Sequence, residues 1–160
     1  MRRVVVAHGG AARLEASPHR SKGFPMTRLY CPVTADGVAA LATSALTVEA
    51  AFAVTDDVRA LAPHGDEELH EHIATQLAAA GCAGRRVVVV VVDVPDARVR
   101  PAASTGGGAL PGRVVVDGDV TLRDVACFLV GDEGEQVSDD ADLELSWYDA
   151  SEIDAVRALL

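Results

Sequence analysis

Lysine is nearly absent from this sequence, which contains only Lys22, and basic residues are outnumbered by acidic ones. Lys and Arg total 14 against 24 Asp and Glu, which gives a formal net charge of -10. Proteins that bind nucleic acids usually carry a basic face, because Lys and Arg make the phosphate contacts. The charge therefore argues against specific binding of DNA or RNA.

Cysteines and long apolar runs are also scarce. Cys31, Cys82 and Cys127 are far apart, so they form neither a CxxC pair nor an even set of disulfides. No apolar run approaches the roughly 20 residues needed to cross a bilayer. We therefore expect no zinc ribbon, no disulfide framework and no membrane span, and we expect a cytoplasmic location. With 160 residues, 49% of them hydrophobic, the chain is long enough for one domain with a buried core.

The first 25 residues differ in composition from the rest of the chain. They hold five basic residues and one acidic residue, whereas residues 26–160 hold 9 basic and 23 acidic residues. Their one apolar run, at residues 4–7, is too short for the apolar region of a secretory signal. We interpret residues 1–25 as a disordered extension or the product of an upstream start assignment, and residues 26–160 as a single α/β domain.

Apolar patterns predict both strands and helices along the domain. The six consecutive valines Val87–Val92 have no polar alternation, which predicts a central strand buried on both faces. Asp66 begins the clearest helix, and Leu69, Ile73 and Leu77 are predicted to form its buried stripe. Further strands are predicted at residues 29–33, 51–54, 113–117, 128–130 and 143–147, and further helices at 38–46, 55–61, 122–126 and 149–160. This order indicates an α/β fold, a mixed sheet of about five or six strands with helices on both sides; a ferredoxin-like α+β fold is the alternative.

Asp93 and Asp96 follow the valine strand, at the kind of strand end where ligands often bind in open α/β sheets. Two carboxylates there could act as acid and base or hold a metal ion. Pro95 between them instead favours a turn in which the aspartates accept hydrogen bonds from nearby backbone N–H groups. Trp147 alternates inward along the last strand, so Tyr148 is predicted to face outward and could contact a partner.

Histidines are concentrated where the long helix begins. His64, Glu68, His70 and His72 lie within nine residues. On a helix, His70 and His72 differ by about 200° in direction, so they cannot bind one ion together. We interpret these histidines as part of a solvated helix face. Neither a metal ion nor a cofactor is expected.

Two further stretches have a biased composition. Seven carboxylates crowd residues 132–144, hereafter the acidic segment: Asp132, Glu133, Glu135, Asp139, Asp140, Asp142 and Glu144. Their spacing does not match a calcium-binding EF-hand loop, so we interpret residues 132–142 as an acidic solvated loop, with weak binding of a cation as the alternative. If the protein is an interaction module, this loop is the expected contact with a protein partner. Residues 104–108, Ser-Thr-Gly-Gly-Gly, have the composition of a phosphate-binding loop but lack its lysine, which favours a flexible insertion.

Residues 28–34, RLYCPVT, resemble the R-V-Y-V-P-x-T opening of a family of small uncharacterised proteins from high-GC, actinobacterial-type genomes. Residues 145–148, LSWY, resemble the L-x-W-Y close of the same family. The family has no assigned activity, so the resemblance implies none. Cys31 stands where the family usually has an aliphatic residue, which argues against a nucleophilic role for this thiol.

These observations lead to two expectations about function. The first is a non-catalytic interaction or regulatory module that works through protein partners. The alternative is an enzyme or small-ligand-binding protein that uses Asp93 and Asp96, with Tyr148 beside them. A deep pocket next to Asp93 would favour the enzyme.

Overall fold

The computed structural model describes residues 24–103 and 110–160. Most of the predicted extension at residues 1–25, and the predicted flexible insertion at residues 104–108, lie outside these residues. Both therefore remain predictions.

The described residues form one seven-stranded sheet with four α-helices. The strands are β1 (Met26–Pro32), β2 (Ala51–Phe52), β3 (Val88–Pro95), β4 (Val99–Pro101), β5 (Arg113–Val116), β6 (Val125–Val130) and β7 (Ser146–Asp149). The helices are α1 (Ala35–Thr43), α2 (Asp56–Leu61), α3 (Glu67–Ala80) and α4 (Ile153–Leu159), with three short 3-10 helices at Asp96–Arg98, Leu122–Asp124 and Ala150–Glu152. The strand order across the sheet is β4-β5-β2-β1-β3-β6-β7.

The sheet is antiparallel at every pairing of these strands. We predicted a mixed sheet with five or six strands. That prediction was wrong about the direction of the strands, and it gave too few of them. A run of valines indicates burial on both faces, but burial alone does not fix the direction of the neighbouring strands. The short edge strand β4 was missed because only three residues, Val99–Pro101, form it.

Strand β3 lies inside the sheet, between β1 and β6, as the valine run predicted. Its side chains alternate between two cores, since successive residues of a strand point to opposite faces. Val88, Val90, Val92 and Val94 pack with residues of α1 and α4, while Val89 and Val91, together with Val87 just before the strand, pack with residues of α3. Helices therefore cover both faces of the sheet, as the α/β prediction required.

Helix α3 buries a different stripe from the one we predicted. Leu69 is 42% exposed, and the buried positions are His70, Ala74, Thr75, Ala78 and Ala79. The alanines share a core with the large rings of Tyr30 and Phe52, which project from the sheet. Because these rings already fill the layer between sheet and helix, small residues allow α3 to approach closely. The prediction failed because it chose the buried helix positions by hydrophobicity alone. It took no account of the volume that the sheet side chains facing the helix occupy.

Candidate functional site

Asp93 lies inside strand β3 and is paired with Arg28 on β1, directly across from it. Arg28 donates from Nε to Oδ1 and from Nη2 to Oδ2 of Asp93, both at 2.9 Å. The two side chains are 32% and 37% exposed, so the pair is partly shielded from water. The turn prediction was wrong for Asp93, because the strand continues to Pro95 and the partner of Asp93 is a distant side chain.

Asp96 is held in a similar way at the end of the strand. Its carboxylate accepts a hydrogen bond from the Thr27 hydroxyl at 2.5 Å, and its backbone N–H donates to the Pro25 carbonyl. A 3-10 turn begins at Asp96 itself. Both aspartates thus bind groups at the start of β1. In addition, the ligand-site rule that suggested them applies to parallel strands, whereas β1 and β3 are antiparallel.

Tyr148 lies on the other side of the sheet from Asp93. It is half-buried and packs against the core formed with α1 and α4, so it does not face outward as we predicted. Trp147 packs against the α3 core, where its side chain contacts Cys127. The structure therefore does not bring Asp93, Asp96 and Tyr148 together into one site.

A group of titratable residues instead surrounds Arg28 on the α3 face, and no sequence pattern indicated this group. Burial raises the pKa of the Glu71 carboxyl, Arg28 opposes this rise, and Glu67, Glu68 and Asp93 add to it. Burial also raises the pKa of the Tyr30 hydroxyl. The hydrogen bonds to Asp93 raise the pKa of Arg28. Because Arg28 gives both of its hydrogen bonds here to Asp93, the half-buried Glu71 carboxylate has no ion pair within the described residues.

The three thiols do not form a nucleophilic site. Burial raises the pKa of Cys31 and of Cys127 to about 12, and it also raises the pKa of Cys82. Nucleophilic cysteines need the thiolate form, which is favoured by a lowered pKa. Burial therefore disfavours the thiolate form at all three positions.

The histidines do not share one solvated face. His70 is 6% exposed, and its Nε2 lies 2.9 Å from the Ala62 carbonyl oxygen, which ties α3 to the end of α2. His72 Nε2 lies 2.8 Å from Asp142 Oδ2, whereas His64 is exposed. The solvated-face prediction was therefore wrong for His70. In residues 24–103 and 110–160, no three His, Cys, Asp or Glu side chains are placed to share a metal ion.

The acidic segment packs against helix α3 through its backbone. Gln76 donates from Nε2 to the Leu143 carbonyl at 3.1 Å and accepts from the Leu143 N–H at 3.0 Å. Leu143 and Leu145, which we assigned to a strand, precede β7 and are buried in the α3 core. The alternation of apolar and polar residues correctly predicted their burial, while the sheet pairing begins only at Ser146.

Among the described residues, few side chains that can carry a positive charge are seen to contact the acidic segment. Glu133 lies 3.3 Å from Arg85 and 4.0 Å from Arg86, and Asp142 meets His72. Four other carboxylates are exposed and make no ion pair within the described part of the chain: Glu135, Asp139, Asp140 and Glu144. The segment also lines an open depression of about 270 Å³ with Leu143 at its wall.

Comparison with known proteins identifies a family but no activity. No helix among the described residues is long and apolar enough to cross a membrane. Neither the curated proteins nor the solved structures contain a significant match. A family of unknown function, DUF6912, matches residues 27–156, which is most of the chain. The expected relationship to an uncharacterised family is thereby confirmed, and the chain belongs to DUF6912.

Proposed function

We propose that this domain is a non-catalytic module that binds a basic surface of a protein partner through the acidic segment. The observation that carries the proposal is the set of four exposed, unpaired carboxylates, Glu135, Asp139, Asp140 and Glu144. A surface of one charge attracts a partner of the opposite charge and repels like-charged ones, so it contributes to specificity and to the association rate. Phosphate backbones are disfavoured as partners for the same reason.

The attachment of the segment supports this function. Gln76 is uncharged and binds the backbone of Leu143, so the segment is held against α3 without consuming its carboxylates. Burial of Leu143 and Leu145 fixes the end of the segment in the core. A contact surface that is already positioned loses less conformational entropy when a partner binds.

The surroundings of Asp93 and Asp96 favour this function over the enzyme alternative. Each carboxylate already has a side-chain partner, Arg28 for Asp93 and Thr27 for Asp96. Tyr148, the third residue of the alternative, lies on the opposite face of the sheet. These contacts give both aspartates a structural role at the junction of β1 and β3.

The test compares three forms of the chain by chemical cross-linking and mass spectrometry in cells of the native host. One variant replaces the four unpaired carboxylates of the acidic segment with amides. The matched control replaces four exposed carboxylates elsewhere, namely Asp36, Glu49, Asp57 and Asp154. We expect partners that cross-link to the wild type and the control but not to the segment variant.

A partner found in this way is then purified and its affinity measured at several salt concentrations. We expect the affinity for the wild type to fall as salt rises, because exposed charges are screened. Equal capture by all three forms, or an affinity that the segment variant retains, would contradict the proposed function.

A further inference from the structure

Glu71 lies on the face of α3 that packs against the sheet. It precedes the buried residues Ala74 and Thr75 by three and four positions, which places it on the same side of the helix. Glu71 is half-buried, and within the described residues its carboxyl group makes no hydrogen bond or ion pair. This carboxyl group is therefore partly shielded from water and lacks a fixed partner.

Two residues of β1 face Glu71 from the sheet. Arg28 and Tyr30 are two positions apart on the strand, so they project to the same face, where Tyr30 belongs to the α3 core. Burial raises the pKa of Glu71, and Arg28 opposes this rise. Burial also raises the pKa of the Tyr30 hydroxyl, and Glu71 adds to that rise. Glu71 thus lies within electrostatic reach of both side chains.

Both of these side chains have hydrogen-bond donors that are not used. Tyr30 is 4% exposed, and its hydroxyl makes no hydrogen bond with another described residue. Buried tyrosine hydroxyls usually have a partner, because little water reaches them. Arg28 uses Nε and Nη2 for Asp93, which leaves Nη1 without an acceptor in the described part of the chain.

The protonation state of Glu71 determines which of the two is the better partner. A neutral carboxyl group can both donate to a hydroxyl and accept from it, and burial favours this form by raising the pKa of Glu71. A carboxylate only accepts, and it is bound more strongly by a guanidinium than by a hydroxyl. Arg28 is 32% exposed, so it also offers the carboxylate a position closer to water.

The remaining groups around Glu71 favour the same two partners. Glu67 and Glu68 on α3 and Asp93 on β3 are negative and raise the pKa of Glu71 further, whereas Arg28 lowers it. Strand β2 adds no titratable side chain, and Arg59 of α2 binds Glu67. Arg28 is therefore the cation positioned to receive the Glu71 carboxylate.

We propose that Glu71 changes its partner with its protonation state: the neutral carboxyl group binds the Tyr30 hydroxyl, and the carboxylate turns to Nη1 of Arg28. Neither contact is formed in the structure, and rotation of the flexible Glu71 side chain completes each of them. The junction of α3 and the sheet thereby becomes a pH-sensitive contact. The proposal concerns the domain itself and does not depend on the proposed function.

The chain contains two tyrosines, Tyr30 and Tyr148, which makes the first contact measurable. Isotope labelling of the tyrosine ζ carbon gives one NMR signal for each hydroxyl-bearing carbon, and the Glu71 carboxyl carbon is followed in the same pH titration. We expect the Tyr30 signal to shift with the midpoint of Glu71. Tyr148, on the opposite face of the sheet, should not follow it. A Tyr30 signal that stays constant while Glu71 ionises would overturn the proposal.

Tyr30→Phe separates a hydrogen bond from mere proximity, because it removes the hydroxyl and keeps the ring. We expect the midpoint of Glu71 to fall in this variant, since the neutral carboxyl group loses its partner. Tyr148→Phe is the matched control and should leave the midpoint unchanged. An unchanged midpoint in Tyr30→Phe would contradict the contact with Tyr30.

The contact with Arg28 is tested in the Asp93→Asn variant, with and without Arg28→Met, so that no unpaired Asp93 carboxylate is left. We expect Arg28→Met to raise the midpoint of Glu71 in this background, because the carboxylate loses its cation. The difference should persist at high salt, since a direct contact is screened less than a charge acting at a distance. A difference that disappears at high salt, or none at all, would overturn the turn towards Arg28.

Discussion

Arg28 and Asp93 lie directly opposite each other on neighbouring antiparallel strands and are joined by two hydrogen bonds of 2.9 Å. The guanidinium and carboxylate groups meet in the two-pronged geometry that favours this pair over a lysine equivalent. The contact connects residues 65 positions apart in the sequence. It assigns Asp93, the strongest candidate for a catalytic carboxylate in the sequence, to the stabilisation of the sheet.

We predict a measurable coupling between these two residues. In a double-mutant cycle with Arg28→Met and Asp93→Asn, we expect a coupling of about 0.5–1 kcal/mol in the free energy of unfolding, the upper range for a partly exposed pair. Urea denaturation of the four proteins measures it. The fully exposed pair Arg100 and Asp117 serves as the control and should couple less strongly. A coupling of zero would show that the contact between Arg28 and Asp93 does not stabilise the sheet.

The double variant Asp93→Asn with Asp96→Asn distinguishes the proposed interaction module from the enzyme or ligand-binding alternative. We expect it to lose about 1–2 kcal/mol of stability, since charge-assisted hydrogen bonds are replaced by weaker ones. Cells of the host that carry it should keep a normal phenotype. Denaturation and a complementation assay measure these effects. A stable variant that abolishes the cellular function would instead support the enzyme or ligand-binding alternative.

Val90→Asp should prevent folding. Val90 is fully buried in β3, and an unpaired buried carboxylate costs several kcal/mol, which is comparable to the whole stability of a domain. Circular dichroism and solubility on expression give the result. Val115→Asp is the matched control, because Val115 on β5 is 40% exposed and its variant should fold. A cooperatively folding Val90→Asp protein would contradict the interior placement of β3.

The contribution of Glu71 to the free energy of unfolding should decline as the pH rises. Its pKa is raised in the folded state, so the folded protein binds more protons than the unfolded chain above the unfolded value of about 4.3. The contribution of Glu71 to stability therefore falls as pH rises from that value through the folded pKa. Glu71→Gln removes this fall and should be more stable than the wild type at neutral pH.

The measurement is the free energy of unfolding of both proteins as the pH is raised from the unfolded value of about 4.3 to neutral pH. Glu49→Gln, at an exposed position and not among the charges that act on Glu71, is the control and should keep the fall that Glu71 causes. Parallel curves for wild type and Glu71→Gln would show that burial of Glu71 carries no penalty.

The sequence by itself determined the elements that depend on local patterns. The valine run predicted a buried interior strand because six β-branched apolar residues cannot face water on either side. The helix predicted at residues 122–126 forms as a 3-10 turn at Leu122–Asp124, where Thr121 and Asp124 make a capping box whose hydrogen bonds join residues three apart. The match of residues 27–156 to a family of unknown function likewise needs only the sequence.

Only the tertiary structure decided which residues meet. Strand direction and the small-residue stripe of α3 depend on how distant segments pack together. The same holds for the partners of Asp93, His72 and Gln76, which lie about 65 to 70 residues away in the sequence. No local pattern encodes such a pairing, because its energy arises after both segments are in place. The candidate carboxylates were therefore found from the sequence, while their roles were set by residues elsewhere in the chain.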